Sequence, residues 1–353
     1  MASIAASSLA GVAPAQDRSG LQDRLTRLAR RHRIPGASAA VLLDSEIVGR
    51  MAVGADPDTL FQAASISKTA NAVVVLRLAE QGRLSLDAPV NAMLRSWSLP
   101  GAGAGAVTPR LLLSHRAGTT VAGFPGYVPD GRRPDLRQIL DGLPPANTPP
   151  VRVAWPPGQA FRYSGGGTMV LQRLVMDVSE RDYDDLVRDL VLSPAGMTRS
   201  GFFQPPSPAV TDRATAHDGD GRPLPGGFHV YPEHAAAGLW STPSELARLA
   251  LMIAASWRAG GVLSRSMARA MATPVGGGPT GLGLFVRARG GDRPPWLYHY
   301  GVNAGFRSIL VFAADGSFGL ALMTNGEGGR QLIPAFLADA FAAHGQDPFR
   351  PAE

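Results

Sequence analysis

The sequence predicts an α+β fold, in which an antiparallel sheet is flanked by helices and a mostly helical subdomain is inserted between its strands. Two apolar runs, Ala37 to Leu43 and Glu46 to Val53, surround Asp44-Ser45 and indicate a hairpin. From residue 281 onwards, apolar runs separated by turn residues indicate an antiparallel meander. Helical spacing dominates the region between them. We therefore expect the N-terminal hairpin and the C-terminal meander to pair in one sheet.

The first half of the chain also carries two predicted helices and a long irregular region. Leucines at helical spacing among arginines predict an amphipathic helix over residues 20–33. The apolar run Ala70 to Leu78 predicts a buried helix that begins near Ser65 and stops near Gly82. Residues 91–160 hold many glycines and prolines, so we expect short helices and long loops there, forming the rim of a site.

The second half combines helices with the meander. Residues 241–245 are typical of a helix start, with Ser241 or Thr242 as the N-cap, and this helix extends to Trp257. The other predicted elements are helices at Thr168–Val178, Tyr183–Leu192 and Arg330–Ala343, and strands at Gly281–Arg287, Trp296–Tyr300, Phe306–Phe312 and Phe318–Thr324.

We predict one catalytic domain over residues 20–343, with an α/β part at about 20–64 and 281–343 and a helical part at about 65–280. Residues 344–353 form a predicted C-terminal tail. Residues 1–19 are rich in Ala and Ser and are predicted to be a leader or the remnant of an export signal. Ala13-Pro14-Ala15 suits a signal-peptidase site, but no basic segment precedes it. Export to the periplasm or medium and a cytoplasmic location both stay open.

The composition excludes several classes of function. The chain of 353 residues is 45% hydrophobic and 18% charged, which is ordinary for a soluble globular enzyme. Its net charge is +6, but the arginines are scattered, so we predict no nucleic-acid partner. No apolar run approaches the length of about 20 residues that a membrane span needs. The absence of cysteine excludes a thiolate nucleophile, and no histidines show metal-ligand spacing, so we predict no metal and no cofactor.

Lys68 is the only lysine among 34 basic residues. Arginine stays protonated in proteins, whereas a desolvated lysine can lose its proton, so this position is a candidate base. Ser65 lies three residues earlier, on the same helix face and near the positive end of the helix dipole. The pair therefore indicates a nucleophile with an adjacent base. The alternative is that Ser65 or Ser67 is a helix cap and Lys68 a solvated residue.

Tyr163 lies in a glycine-rich segment just before a predicted helix. A nearby lysine ammonium would lower the pKa of its phenol and make it a proton shuttle. The alternative is a turn tyrosine with its hydroxyl facing outward. Ser164 either positions this phenol or caps the following helix.

His299 is predicted at the end of a strand and the start of a turn. Gly301 would let a substrate lie along the strand edge, and the Val302 amide would donate to an oxyanion. The alternative is a β-turn with a partly exposed histidine.

Three motifs in this order resemble the serine β-lactamase and penicillin-binding-protein superfamily. The closest resemblance is to its class C-type branch, which includes family VIII esterases and D-amino-acid peptidases and amidases. The motifs are Ser65-Ile66-Ser67-Lys68, Tyr163-Ser164-Gly165 and His299-Tyr300-Gly301. Residues 112–118, 194–198 and 237–242 extend the resemblance over about 20–343.

The resemblance implies a mechanism. Ser65 attacks a carbonyl and becomes acylated, while Lys68 and Tyr163 move its proton to the leaving group. The backbone amides of Ser65 and Val302 form the oxyanion hole, and His299 orients Tyr163 or the substrate. Tyr163 then activates water for deacylation. The residues around the motifs that we predict to bind substrate are Ser164, Gly165, Tyr300, Gly301, Asn303 and Arg307.

Two departures from the family pattern bear on the substrate. Gly165 stands where the family often has Asn, and His299 stands where lactamases and peptidases use Lys. Both weaken the case for β-lactams and favour simpler carboxylic esters or small amides, with Arg307 as a position-based replacement for the missing cation.

We therefore predict a serine hydrolase that acts on a small-molecule ester or amide. An acyltransferase, a D-amino-acid peptidase or β-lactamase, and a non-enzymatic β-lactam-binding scaffold stay open as alternatives. The oligomeric state is not predicted by the sequence.

Overall fold

A computed structural model describes residues 15–207 and 210–349, with the side chains described from residue 20. Most of the predicted leader therefore lies outside the described residues. The strands are β1 (Ala37–Leu43), β2 (Glu46–Val53), β3 (Phe61–Gln62), β4 (Trp240–Ser241), β5 (Phe285–Arg287), β6 (Trp296–Asn303), β7 (Phe306–Ala313) and β8 (Phe318–Thr324). The α-helices are α1 (Ala15–Arg31), α2 (Ser67–Glu80), α3 (Pro109–Leu113), α4 (Leu136–Asp141), α5 (Gly165–Ser179), α6 (Tyr183–Val187), α7 (His234–Ala237), α8 (Pro243–Ala259), α9 (Arg265–Met271) and α10 (Gly329–Ala343).

Six of the strands form one antiparallel sheet in the order β2-β1-β8-β7-β6-β5. The first hairpin joins the C-terminal strands through β1 and β8, with Ala37 opposite Thr324 and Leu43 opposite Phe318. The predicted α+β fold, an antiparallel sheet flanked by helices, is confirmed. The assignment of residues 65–280 to a separate helical part stays a prediction.

Helices cover both faces of the sheet, and the central strands β1, β7 and β8 are buried along almost their whole length. On one face, α1 and α10 pack against the strands and against each other, burying residues such as Leu25, Phe336 and Phe341. On the other face, α8 covers the strands and connects to the core around α2 and α5. Phe349 is also buried and its ring packs against Tyr298, so the predicted tail contributes to the core at this position.

Several predicted boundaries differ from the structure. The first helix begins at Ala15, inside the predicted leader, and ends at Arg31. The strand predicted from Gly281 contains only Phe285–Arg287, because Gly283 adopts a left-handed φ of +86° that ends the extended backbone. The helix predicted over residues 183–192 changes at Arg188 from α to a wider π turn.

Two further corrections affect the site and a helix cap. Strand β6 continues to Asn303, so His299 lies inside a strand and not at its end. Thr242 is the N-cap of α8, since its hydroxyl accepts a hydrogen bond from the Glu245 amide, while Ser241 belongs to β4. Within the described part of the chain, no helix combines the length and apolar character needed to cross a membrane.

Candidate active site

Ser65 lies in a single 3₁₀ turn, Ala64–Ile66, that leads directly into α2. The turn is held on two sides. The Ser308 hydroxyl on β7 donates to the Ala63 carbonyl at 2.9 Å, and the Ser67 hydroxyl donates to the Ala64 carbonyl at 2.5 Å. Ala64 adopts a left-handed φ of +51°, a strained conformation for a residue with a side chain. The surrounding contacts therefore fix the backbone that presents Ser65.

Lys68 lies one helical turn after Ser65 and its ammonium nitrogen is buried beside the serine. Its Nζ is 2.9 Å from Ser65 Oγ and donates to the Ala236 carbonyl at 2.7 Å. Burial lowers the pKa of Lys68 to about 7. Near neutral pH a substantial fraction of the amine is therefore unprotonated. A neutral amine that donates one N–H to Ala236 keeps a lone pair that can accept the proton of Ser65.

Tyr163 lies close to both Lys68 and Ser65, with the centre of its ring 5.2 Å from Lys68 Nζ. The expected lowering of its pKa is wrong. Burial raises the pKa of the phenol well above its usual value, and a hydrogen bond with Ser65 opposes only part of that shift. The phenol therefore stays protonated at neutral pH, which suits it to donate or relay a proton.

His299 is a neutral and almost fully buried imidazole, 2% exposed. Its Nδ1 is 2.8 Å from the Tyr300 carbonyl, so Nδ1 carries the proton and Nε2 is an acceptor. Nε2 is buried without a hydrogen-bond partner among the described residues. Burial first, and then the charge of Lys68, lower the pKa of His299 to about 3. This residue therefore supplies an acceptor and not a cation.

A cavity of about 600 Å³ brings three of the four predicted catalytic residues together, while Lys68 lies outside its lining. Ser65, Tyr163, His299, Tyr300 and Val302 all line it. Val302 is 61% exposed at the mouth, so a ligand can reach this part of β6. An oxyanion hole made by the amides of Ser65 and Val302 stays a prediction. The remaining lining residues are Ala122, Gly123, Phe124, Pro125 and Phe285.

Arg307 and Asn303 do not line this cavity, contrary to prediction. The Arg307 guanidinium forms an ion pair with Glu327 and donates to the Asn303 and Phe306 carbonyls at 2.7 Å each. It lines a second cavity of about 490 Å³ between β6, β7 and α10. The Asn303 side chain is buried and donates to Gln62 at 2.7 Å, so it fixes backbone elements behind the site.

Ser164, Gly165 and Gly301 have packing and capping roles in the structure, and their predicted contacts with a substrate stay predictions. The Ser164 hydroxyl accepts from the Gly167 amide at 2.9 Å as the N-cap of α5, and donates to the Thr120 carbonyl at 2.7 Å. A Cβ at Gly165 would lie 2.9 Å from the Phe124 ring. A Cβ at Gly301 would collide with Ser308 and the Ala63 carbonyl, so glycine is required where β6 meets the Ser65 turn.

His115 is a site residue that the sequence analysis did not assign. Its ring centre is 4.4 Å from that of Tyr163. Its carbonyl accepts from the Arg162 amide at 2.7 Å and its Nδ1 accepts from the Ser164 amide at 3.2 Å, so it holds the backbone on both sides of the tyrosine. It is buried, with a left-handed φ of +54°. The only sequence signal was its place in one of the secondary family segments.

The comparison with family models decides the family, because the model described as Beta-lactamase matches residues 21–343. The chain belongs to the β-lactamase family. The predicted resemblance is thereby confirmed, and so is the predicted class of an enzyme related to β-lactamases. In the described ranges 15–207 and 210–349, no group of three or more metal-ligating side chains is placed to hold a metal ion.

Three relatives illustrate the similarity of this β-lactamase-family chain to known proteins. Penicillin-binding protein 4 of Amycolatopsis lactamdurans is 29% identical over 52% of this chain and 49% of its own. Esterase EstB of Burkholderia gladioli is 32% identical over 62% of this chain and 60% of its own. SurE, known from a crystal structure, is 27% identical in sequence, and its structure aligns with a TM-score of 0.75 over 96% of this chain and 78% of the SurE chain. The chain thus spans about half the length of the curated relatives it matches.

Proposed function

We propose that this protein is a serine hydrolase that cleaves small carboxylic esters through an acyl-enzyme on Ser65. The observation that carries the proposal is the 2.9 Å contact between Ser65 Oγ and the Nζ of the buried Lys68, at the edge of an open cavity. Burial lowers the pKa of that amine to about 7, so it can act as a base at neutral pH.

In the first half of the reaction, neutral Lys68 accepts the proton of Ser65 as Oγ attacks the carbonyl carbon of the ester. The amides of Ser65 and Val302 stabilise the negative charge on the carbonyl oxygen. When the ester C–O bond breaks, the leaving alkoxide receives a proton from the Tyr163 phenol. Lys68 returns its proton to Tyr163, and the acyl group stays bonded to Ser65.

Deacylation uses the same groups in the opposite direction. Lys68 is neutral again after the first half-reaction, so it accepts a proton from the attacking water through Tyr163. As the bond between the acyl carbon and Oγ breaks, Lys68 gives this proton to Ser65 Oγ, and the carboxylic acid leaves. Burial keeps the phenol protonated, and for that reason we assign Tyr163 as a relay and Lys68 as the base. The Nε2 acceptor of His299 orients the phenol or the substrate in this scheme.

Esters are favoured over β-lactams and peptides by two features of the cavity. His299 is neutral, so the position offers no fixed cation for a substrate carboxylate. Phe124 occupies the space toward which a side chain at position 165 would project. The similarity to esterase EstB supports the same substrate class.

The test is intact mass spectrometry after brief exposure to a short-chain activated ester. We expect a transient adduct equal to the acyl group on the wild type and none on Ser65→Ala. Ser266→Ala, at an exposed position on α9, is the matched control and should behave as the wild type. Turnover by Ser65→Ala with an undiminished adduct would contradict the proposal. Faster loss of the adduct with added alcohol, together with a transfer product, would instead favour an acyltransferase.

A further inference from the structure

The walls of the Ser65 cavity carry no charge at neutral pH among the described residues. Its titratable members are Tyr163, His299 and Tyr300. Burial raises the pKa of both tyrosines and lowers the pKa of His299 to about 3, so all three are neutral. Lys68 lies behind Ser65 and does not line the cavity. Its Nζ contacts Ser65 Oγ and the Ala236 carbonyl.

Aromatic rings form much of the remaining wall. The ring of Phe285 is nearly parallel to that of Tyr163, with centres 6.4 Å apart, and meets the His299 ring edge-on at 5.6 Å. Phe124 and Tyr300 add two more rings to the same cavity. Aromatic faces stabilise an apolar or aromatic group through burial and ring–ring contact.

Phe124 is held in place by the loop that carries it. The Gly165 amide donates to the Ala122 carbonyl at 3.0 Å, and the Gly166 amide donates to the Val121 carbonyl at 2.9 Å. A Cβ at Gly165 would come within 2.9 Å of the Phe124 ring, so the missing side chain leaves the space that this ring needs. The ring therefore limits the size of the cavity from a fixed position.

Positive side chains lie instead in the second cavity, beyond Val302. Arg307 and Arg330 line that cavity together with Ile333 and Pro334, and Ser65 does not line it. An acyl group is covalently bonded to Ser65 Oγ in the intermediate, so it must occupy the uncharged cavity. The two cavities share Tyr300 and Val302 as lining residues but differ in charge, and the one that contains Ser65 is the neutral one.

We propose that Ser65 accepts only uncharged apolar acyl groups, with aromatic ones favoured, and that Phe124 sets their size. An acyl group that carries a carboxylate is rejected, because the cavity offers that anion no cation and replaces its hydration shell with aromatic walls. This inference rests on the proposed function and names the substrate class of the same site.

The first test compares three esters of 7-hydroxycoumarin, whose acyl groups are phenylacetyl, 4-carbamoylphenylacetyl and 4-carboxyphenylacetyl. The leaving group is the same, and the acyl groups differ at one distant position in polarity and charge. We expect kcat/KM for the carboxylate to be at least about 100-fold below that of phenylacetate, with the amide between them. Equal values for phenylacetate and the carboxylate would overturn the inference. If Ser65→Ala hydrolysed all three like the wild type, the proposed function itself would fail, and the inference with it.

The second test places a cation in the cavity. Phe124→Lys should lower the preference for phenylacetyl over 4-carboxyphenylacetyl by at least about tenfold, while the matched control Phe124→Leu should keep the preference of the wild type. Formation of the acyl adduct with phenylacetate shows that each variant is folded and reactive. If Phe124→Lys reacts but keeps the full preference, charge does not control selection and the inference is wrong.

The size limit is tested separately with a bulkier acyl group. Phe124→Ala should raise kcat/KM for the 2-naphthylacetyl ester relative to the phenylacetyl ester by about tenfold, because the ring that bounds the cavity is removed. An unchanged ratio in a variant that still forms the phenylacetyl adduct would contradict the role of Phe124.

Discussion

The Lys68 side chain is buried, its Nζ is hydrogen-bonded to Ser65 Oγ, and it has no ion-pair partner in the described part of the chain. These properties predict an acid limb in the pH profile. Burial lowers the pKa of Lys68 to about 7, and only the neutral amine can take the proton of Ser65. We expect kcat/KM of the wild type to be level above pH 8 and to fall about tenfold per pH unit well below pH 7. Ester hydrolysis measured between pH 5 and 9 checks this.

Replacing Lys68 by Arg tests whether the enzyme needs the positive charge of this residue or its ability to accept a proton. Lys68→Arg keeps the positive charge but cannot act as a base, so we expect kcat/KM to fall by about 10³-fold or more at pH 8. Arg77→Lys, a partly buried position on the same helix whose guanidinium donates to the Leu190 carbonyl, is the control for an Arg/Lys exchange. Activity of Lys68→Arg near that of the wild type would show that Lys68 is not the base.

His115 gives a second prediction for a single residue. It fixes the backbone on both sides of Tyr163, so its loss should misplace the phenol. We expect His115→Ala to lower kcat by about tenfold or more with a smaller change in KM. His115→Asn should recover part of the loss, because Asn offers an acceptor near Nδ1 and tolerates the left-handed φ of +54°. Equal activity of His115→Ala and His115→Asn would rule out this positioning role. An unchanged acid limb in the pH profile of the variants would show that the pKa of Lys68 is unaffected.

At the scale of the element, replacing Ser164 tests whether this residue, which follows Tyr163, contacts the substrate or caps a helix. Its hydroxyl accepts from Gly167 and donates to Thr120, so Ser164→Ala should lower the free energy of unfolding by about 1–2 kcal/mol. Thr242→Ala removes the corresponding cap of α8, which does not line the cavity, and should have a similar effect on stability. Chemical denaturation measures both.

The kinetic result distinguishes the two roles of Ser164. Ser164 caps a helix and does not line the cavity, so we expect Ser164→Ala to change KM by less than about threefold. A large rise in KM with unchanged stability would restore the original prediction that Ser164 binds substrate.

Local patterns predicted the elements, while contacts between distant segments decided the site. The apolar runs and turn residues of the first hairpin placed β1 and β2 correctly to the residue, because these signals lie within a few positions of each other. Ser65, Lys68, Tyr163 and His299 carried enough motif information to be predicted together. The direction of the pKa shift of Tyr163 was not predictable, since it depends on burial by segments far apart in sequence.

The substrate-binding residues were harder to predict for the same reason. Motif proximity suggested Arg307 and Asn303. Asn303 follows Val302 on β6 and so points to the opposite face, where it donates to Gln62. Arg307 pairs with Val302 across β6 and β7 and shares its face, but its ion pair with Glu327 holds it in the second cavity. Phe124 lies in a loop, and hydrophobic periodicity does not predict the conformation of a loop. The packing of this loop against Gly165 brings the Phe124 ring to the cavity.

At the scale of the whole molecule, a buried carboxyl makes stability depend on pH. The carboxyl group of Glu233 is buried beside Tyr127 and Tyr231, and burial raises its pKa by more than a hydrogen bond with the Tyr127 side chain lowers it. Burial raises the pKa of Glu233 from 4.5 to about 8, so the folded protein holds a proton that the unfolded chain releases. The stability that this proton provides is full below pH 4.5 and is lost as the pH rises to about 8.

We therefore expect Glu233→Gln to gain stability over the wild type as the pH rises from 5 to 7, by up to about 1.4 kcal/mol per pH unit. Lys68, whose pKa is about 7 when folded, is present in both proteins, so its titration cancels in this difference. Denaturation curves at several pH values measure the difference. Glu46→Gln, at an exposed position on β2, should follow the wild type in parallel. A constant difference between Glu233→Gln and the wild type would contradict the assignment.

The pairing of β1 with β8 has a consequence during protein synthesis. The turn that carries Ser65 is held by a hydrogen bond from the Ser308 hydroxyl to the Ala63 carbonyl, and Ser308 lies 245 residues after Ala63 in the chain. At roughly 5–20 residues per second, the ribosome needs on the order of ten to fifty seconds to make that stretch. Throughout this time the edge of β1 that later receives β8 is without its partner, and the hydrolytic centre does not yet exist. The nascent chain must therefore be kept from aggregating until translation of the last strands completes both the sheet and the catalyst.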